Sequence, residues 1–264
     1  MRKYINDKKP EIYAEEIIQA LNLEPPIDLE KICEYYDVNV NNEPLKNVEA
    51  ILIISKGKKN ILINESKYIY NERKRFTIAH EIGHLFIPWH DNISGCTGIG
   101  NFNSEDNVEN EADLFASALL IPKNDIIKDI EGKSVTLSLI EELARKYQVS
   151  LGAMTRRILK YTDDNVVALF YFKNGKKIVQ ASSASFSSSL KSGKIKESAA
   201  DKMITGKMYK SKVLQEHTYN TWFSDSKEGY MIVEESLYQS NFDRVFTLIR
   251  KYTFTDNNES ILDF

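Results

Sequence analysis

The amino-acid sequence predicts an α+β fold in two parts, a mainly helical part with a small β-sheet followed by a small α+β part. Apolar residues recur at helical spacing through most of the chain up to residue 161, and two segments rich in β-branched residues interrupt them. After residue 165 the pattern changes to short strands separated by turn residues. A chain of 264 residues also exceeds the common size of one domain, which agrees with two parts.

The first part is predicted to begin with two helices and a hairpin. Helical spacing predicts a helix from Pro10 to Leu23 and a second one from the N-cap Asp28 through Tyr36. Residues 50–54 and 60–64 flank a Lys-Gly-Lys-Lys turn, so they are predicted to pair as a β-hairpin. Later helices are predicted over residues 125–129, 138–147 and 151–161.

One stretch specifies chemistry, the segment His80-Glu81-Ile82-Gly83-His84 within a predicted helix. Two histidines four apart are separated by about 40° and one helical turn, so both imidazoles can bind one metal ion. Glu81 follows the first histidine directly and can take a proton from a water at the open side of the ion. We predict His80 and His84 as zinc ligands and Glu81 as the general base, although the bare motif also occurs on ordinary surface helices.

A second predicted helix, over residues 108–121, offers carboxylates for a third ligand. Glu109 and Asp113 lie on one helical face, whereas Glu111 lies about 200° from Glu109. We therefore predict Glu109 as the ligand. Asp113 is then placed to accept the free N–H of a metal-binding imidazole. A solvated, acidic helix N-terminus favoured by the helix dipole is the alternative interpretation for all three carboxylates, and we adopt it for Glu111.

The two motifs together, residues 73–84 and 109–122, resemble the ImmA/IrrE family of intracellular metallopeptidases. The resemblance extends over roughly residues 10–160, and the spacing of Glu109 and Asp113 is also similar to that of thermolysin-like gluzincins. It implies a zincin-like peptidase domain that binds a zinc ion. It also implies that the substrate is a helix-turn-helix transcriptional repressor, whose cleavage switches on genes of a mobile element or a stress response. The implied site consists of the ligands His80, His84 and Glu109 and the catalytic base Glu81.

Other potentially reactive side chains are not part of these motifs. Cys33 falls in a helical pattern and is predicted to be core, and Cys96 is predicted to be an ordinary cysteine of a Gly-rich loop. His90 lies six residues past the second motif histidine, which breaks the helical face, so we predict it at the surface. His217 and Tyr147 are candidates for a second electrophile, without support from their sequence context.

Composition excludes several classes of function. The net charge is −3, from 35 basic and 38 acidic residues, so the chain has no global attraction to nucleic acid or anionic membranes. No run approaches the roughly 20 apolar residues of a membrane span, and no apolar segment follows the charged N-terminus. With only two cysteines, we expect a cytoplasmic protein whose thiols stay reduced. Its oligomeric state is not indicated.

The helices predicted over residues 138–147 and 151–161 resemble a helix-turn-helix pair, and Ser150 is a suitable N-cap for the second. That second helix carries Arg156, Arg157 and Lys160, as a recognition helix would. Packing of the pair against the peptidase core explains the pattern at least as simply, and one short basic stretch is weak support for phosphate contacts. Direct binding of nucleic acid is therefore not favoured.

The polar residues 162–165 mark a predicted boundary between residues 1–161, the peptidase domain, and residues 166–264. We interpret the second part as an α+β domain that regulates the peptidase or selects its substrate, with its aromatic residues forming a core. A function of another class is a DNA-binding or adaptor regulator in which the metal site is structural or inert. The effect of replacing Glu81 separates the two, since an inert site does not depend on a general base.

Overall fold

The computed structural model describes residues 9–46, 48–68, 70–90, 105–225 and 229–253, so Cys96 lies outside the described residues. Within them the chain forms eight α-helices and two β-sheets, and the predicted α+β class is confirmed. Contacts divide the chain into two compact units, residues 1–126 with 143–153 and residues 127–142 with 154–264. In the described part, no helix has both the length and the apolar character required to cross a membrane.

The N-terminal helices form close to their predicted positions. Helix α1 spans Pro10–Leu21 and ends at Asn22, whose positive φ of 47° takes the backbone out of the helix. Helix α2 spans Leu29–Tyr35 and begins at the predicted cap, because Asp28 Oδ1 accepts a hydrogen bond from the backbone N–H of Lys31 at 2.9 Å.

A three-stranded sheet follows, made of β1 (Val38–Asn42), β2 (Ala50–Ser55) and β3 (Lys58–Ile63). The order is β1-β3-β2, with β2 and β3 paired as the predicted antiparallel hairpin. The turn is shorter than the four residues expected, since Lys56 and Gly57, with φ of 50° and 79°, suffice to reverse the chain. The parallel pairing of β1 with β3 was not expected, and it makes β2 an edge strand of this sheet.

Helices α3 (Asn71–Phe86) and α4 (Glu105–Leu120) pack closely against each other. The approach is tightest at Gly83, where a Cβ atom would lie 3.0 Å from Phe115 Cδ1 and 3.3 Å from the Cα of Ala112. A glycine at this position therefore permits the contact. The fully buried apolar side chains of the two helices are Ala79, Ile82, Ala112, Phe115, Ala116 and Leu119.

Three further helices confirm the predicted pattern: α5 (Lys123–Ile130), α6 (Leu137–Tyr147) and α7 (Leu151–Tyr161). Ser150 Oγ caps α7 by accepting a hydrogen bond from the N–H of Ala153 at 3.2 Å. Arg157 is only 4% exposed, so one of the three basic residues of α7 is not available to a phosphate. The remaining two are exposed.

The two compact units do not meet at residues 162–165, where the sequence suggested a boundary. Residues 127–142 and 154–161, which precede that boundary, belong to the second unit. The backbone N–H of Leu137 donates a hydrogen bond to Glu235 Oε2 at 3.0 Å, and Lys212 Nζ lies 2.7 Å from Glu141 Oε2. The division runs through α6 and α7 themselves. A sequence boundary drawn at a polar tetrapeptide does not register such contacts between distant residues.

The second unit is built on a five-stranded antiparallel sheet of order β5-β4-β8-β7-β6. Helix α8 (Ala199–Ile204) packs on it. The predicted aromatic core is confirmed, with Tyr171, Trp222 and Phe223 fully buried in one cluster. The strands are β4 (Val166–Tyr171), β5 (Lys177–Ser182), β6 (Lys212–Thr218), β7 (Tyr230–Gln239) and β8 (Arg244–Thr253).

Candidate metal centre

Helices α3 and α4 bring three potential metal ligands together. His80 Nε2 lies 3.0 Å from His84 Nε2 and 3.1 Å from Glu109 Oε2, and His84 Nε2 lies 3.6 Å from Glu109 Oε1. All three ligand atoms lie within 4.8 Å of one another. Ligand atoms about 2 Å from one ion are separated by about 3–4 Å, so this cluster fits a single metal ion. Two imidazoles and one carboxylate are also a donor set of catalytic zinc sites.

Glu81 lies beside this cluster in a buried position. Its side chain is 2% exposed and accepts a hydrogen bond from the backbone of Leu52 on β2, while its Oε2 atom has no hydrogen-bond partner within the described protein. A buried carboxylate oxygen without a partner is costly unless a ligand or water meets it. Burial raises the pKa of Glu81 to about 7, opposed by the nearby His80 and assisted by the charge of Glu109.

Asp113 stands one helical turn beyond Glu109 and contacts His80 from the other side of its ring. Its Oδ1 atom lies 2.8 Å from His80 Nδ1. A carboxylate accepts the hydrogen on that nitrogen, which leaves the Nε2 lone pair of His80 directed to the ligand cluster. The geometry is the one expected from the spacing of Glu109 and Asp113.

The interpretation of His90 as a surface residue was wrong. His90 is 3% exposed, and its Nδ1 atom lies 3.0 Å from His84 Nδ1. The prediction assumed that the helix continues to His90, but α3 ends at Phe86 and the chain then turns. The N–H of His90 donates a hydrogen bond to the Ile87 carbonyl at 3.0 Å. Burial is the main cause that lowers the pKa of both imidazoles, that of His84 to about 4.

The interpretation of Glu111 as a solvated helix-end acid was also wrong. Its Oε2 atom lies 3.0 Å from His90 Nε2 and accepts a hydrogen bond from the indole N–H of Trp89. Glu111 and Glu109 do project differently from α4, as the helical spacing predicts. Sequence reasoning missed this contact because it joins residues 21 positions apart, with no local pattern to indicate it.

A cavity of about 340 Å³ adjoins the cluster. It is lined by residues around the start of β2, including Glu49 and Ala50, by Arg73 and Phe76 of α3, and by the candidate site residues. Two of the lining residues, Arg73 and Glu49, form a bidentate ion pair, with N–O distances of 2.9 and 3.0 Å. The cavity is large enough for a few side chains of a peptide, and it reaches the buried face of Glu81.

Neither candidate for a second electrophile is among the described residues that line this cavity. His217 lies on β6, with its Nε2 atom 2.9 Å from Glu234 Oε2, and Tyr147 is fully buried. Cys33 is buried as predicted, and burial raises the pKa of its thiol to about 11. The structure thus gives no support for assigning His217 or Tyr147 to the site.

The site has two histidines and a glutamate on packed helices, with a buried glutamate beside the first histidine. This arrangement is typical of metallopeptidases. Residues 33–159 match the family model Peptidase_M78, described as the IrrE N-terminal-like domain. The chain thus contains an IrrE N-terminal-like domain, and this match supports the resemblance to the ImmA/IrrE family found in the sequence.

The overall fold is similar to that of a solved structure named "Mycobacterium tuberculosis transcriptional regulator", with a TM-score of 0.57. The similarity covers 99% of this chain and 93% of that chain at 13% sequence identity. At this identity the similarity shows a shared fold and nothing about activity. No curated protein sequence matches the chain.

Proposed function

We propose that the chain is a zinc-dependent endopeptidase that cleaves a helix-turn-helix transcriptional repressor and so derepresses genes of a mobile element or a stress response. The main support for peptidase activity is Oε2 of Glu81, which is buried beside the cluster of His80, His84 and Glu109 and has no hydrogen-bond partner among the described residues. The family match supports the same activity. The similar solved structure carries the name of a transcriptional regulator, which supports a connection with gene expression.

In this proposal His80, His84 and Glu109 hold the metal, and Asp113 orients His80. Bound zinc would supply a Lewis acid that lowers the pKa of a water toward about 7 and polarises the scissile carbonyl. The donor set supports zinc in this proposal, because two imidazoles and a carboxylate suit zinc better than they suit a hard cation such as Mg²⁺.

Glu81 carries the proton in the proposed reaction. A hydrogen bond from the Leu52 backbone helps to hold its carboxylate, and Oε2, which has no partner among the described residues, is available to the attacking water. Glu81 takes a proton from that water and later gives it to the leaving amine, so one carboxylate acts first as base and then as acid. The buried surroundings exclude bulk water, which would otherwise compete for the same oxygen.

We assign a regulatory or substrate-selecting role to residues 166–264. This stretch has its own aromatic core, and none of the proposed ligands or the base lies in it. The buried position of Arg157 argues against α7 as a helix that reads DNA. The repressor is thus a protein substrate in this proposal, and contact with nucleic acid is not required.

The test compares the wild-type chain with Glu81→Gln in the presence of a helix-turn-helix protein encoded beside the gene. Glutamine is nearly isosteric but cannot accept the proton, so the variant should keep its fold and its zinc and lose about 10²–10⁴-fold in cleavage rate. Cleavage is followed by gel and mass spectrometry. Glu65→Gln, at an exposed carboxylate paired with Lys74, serves as the control and should cleave normally.

Two outcomes would contradict the proposal. If Glu81→Gln derepresses the target genes as well as the wild type does, the chain is a regulator or adaptor with an inert metal site. If the wild type degrades unfolded casein as fast as the repressor, the chain is a general peptidase and repressor cleavage is not its specific role.

A further inference from the structure

We propose that His90 and Glu111 are positioning residues that hold His84 in the tautomer and orientation required for metal binding. They would act through a chain of hydrogen bonds from His84 through His90 to Glu111. The inference rests on the proposed metal site, and it adds two residues that neither motif assigns to it.

The distances define a continuous chain of contacts. His84 Nδ1 lies 3.0 Å from His90 Nδ1, and the opposite nitrogen of His90, Nε2, lies 3.0 Å from Glu111 Oε2. The side chain of His90 has no exposed surface and that of His84 is 1% exposed. Bulk water therefore has no access to either histidine contact, and the ring nitrogens pair with groups of the protein.

The direction of each hydrogen bond follows from its neighbour. The carboxylate of Glu111 only accepts, so His90 Nε2 carries a hydrogen and donates it. His84 must keep the lone pair of Nε2 for the metal, so its hydrogen lies on Nδ1. Two N–H groups cannot point at each other, and His90 Nδ1 is therefore the unprotonated acceptor. All three groups are satisfied in this one arrangement.

Glu111 is itself held in place. Its Oε2 atom also accepts from the indole N–H of Trp89, and the Trp89 ring packs edge-to-face on Tyr13 with centroids 5.8 Å apart. Two donors on one carboxylate oxygen fix its position relative to His90. The orientation of His84 is thus determined by a carboxylate that never reaches the metal.

Helix α4 thus provides a carboxylate for each of the two histidines of the α3 motif, one by direct contact and one through a third residue. Asp113 contacts His80 directly, whereas Glu111 projects from another side of α4 and needs the His90 ring to span the distance to His84. In this proposal each metal-binding imidazole is oriented by a carboxylate on the side away from the metal. Loss of such a carboxylate typically lowers metal affinity about 10–100-fold.

A purely structural role for a buried histidine would also explain His90, so the test must separate the two. His90→Asn keeps an oxygen near the position of Nδ1, which can accept from His84. His90→Gln reaches the position of Nε2 and keeps contact with Glu111, but it loses the acceptor for His84. If His90 positions His84, the zinc dissociation constant should rise about 10–100-fold in His90→Gln and clearly less in His90→Asn.

Zinc affinity is measured by competition with a chromophoric chelator, and thermal unfolding of the zinc-free forms is measured alongside it. Glu65→Gln is the control and should leave zinc affinity unchanged. Equal zinc affinity in wild type, His90→Asn and His90→Gln would overturn the proposal, as would an equal loss in both variants. If both His90 variants fail to fold, Glu111→Gln, at a partly exposed residue, replaces them and should weaken zinc binding in a folded protein.

The tautomer is measured directly by long-range ¹H–¹⁵N NMR on the wild-type chain, which has only four histidines to assign. We expect His90 to carry its hydrogen on Nε2 in both the zinc-free and the zinc-loaded protein. A hydrogen on Nδ1 of His90, or on both nitrogens at pH 7, overturns the proposal. A wild-type chain that binds no zinc refutes the proposed function instead, and the tautomer in the zinc-free protein still decides this inference.

Discussion

The Oδ1 atom of Asp113 on α4 lies 2.8 Å from Nδ1 of His80 on α3, so a carboxylate supports the imidazole at the nitrogen opposite the ligand cluster. This contact joins residues 33 positions apart, yet the helical spacing of Glu109 and Asp113 already indicated it. It fixes which nitrogen of His80 faces Glu109 and His84.

Removal of the Asp113 carboxylate should therefore weaken metal binding without unfolding the chain. We expect Asp113→Ala to raise the zinc dissociation constant about 10–100-fold, and Asp113→Asn to have a smaller effect because its amide oxygen can still accept the hydrogen. Chelator competition measures both. Wild-type affinity in Asp113→Ala would show that the contact does not orient His80.

The assignment of the third ligand is tested by a matched pair of variants on α4. Glu109→Gln should leave the purified protein without stoichiometric metal after dialysis, because an amide is a poor zinc ligand. Glu111→Gln should retain metal with an affinity lowered by about 100-fold at most. Metal analysis of both proteins decides, and loss of metal in Glu111→Gln alone would reverse the assignment.

Close packing at Gly83 leads to a prediction for stability. Gly83→Ala gains about 1 kcal/mol of helix propensity, but its Cβ would lie 3.0 Å from Phe115 Cδ1, and overpacking of a core costs about 1–3 kcal/mol. The net effect on the free energy of unfolding should be a loss of about 0–2 kcal/mol, measured by urea denaturation. Combination with Phe115→Leu should be less destabilising than the sum of the single changes, and strict additivity would mean that the two sites do not touch.

Burial raises the pKa of Glu235, opposed by a hydrogen bond from the Leu137 backbone and by the charges of Arg250 and Lys212. The folded protein thus binds a proton more tightly at this site than the unfolded chain does. The contribution of Glu235 to stability is present below its ordinary pKa of 4.5 and is lost as the pH rises through the raised value.

Glu235→Gln removes this titration while keeping an oxygen for the N–H of Leu137. Its free energy of unfolding, relative to that of the wild type, should increase between pH 4.5 and pH 7.5, as measured by urea denaturation at both values. Glu197→Gln, at an exposed position, is the control and should follow the wild type. A difference between Glu235→Gln and wild type that does not change with pH would contradict the argument.

Local patterns predicted the parts of the structure that depend on near neighbours in the chain. Helical spacing placed His80, His84 and Glu109 correctly in one cluster, since α3 and α4 are regular over those positions. Capping chemistry placed the starts of α2 and α7. Such features depend on residues three or four apart, which the sequence displays directly.

Contacts between distant residues could not be predicted in this way. The parallel register of Val38 with Lys59 and the hydrogen bond from Leu137 to Glu235 join segments whose local patterns carry no information about each other. His90 was missed for a related reason, because the helical period that places His84 ends with α3. An imidazole beyond a helix end can turn back into the site, and only the three-dimensional path of the chain shows it.

The hydrogen bond from Leu52 to Glu81 has a consequence for the β2 edge of the small sheet. An edge strand offers unpaired backbone donors to any extended chain that approaches it. At Leu52 that donor is already occupied by the buried carboxylate of Glu81. A peptide that pairs with β2 at this position would compete with Glu81 for this N–H, so we expect binding of an extended chain at the edge to weaken the hold of the strand on the carboxylate.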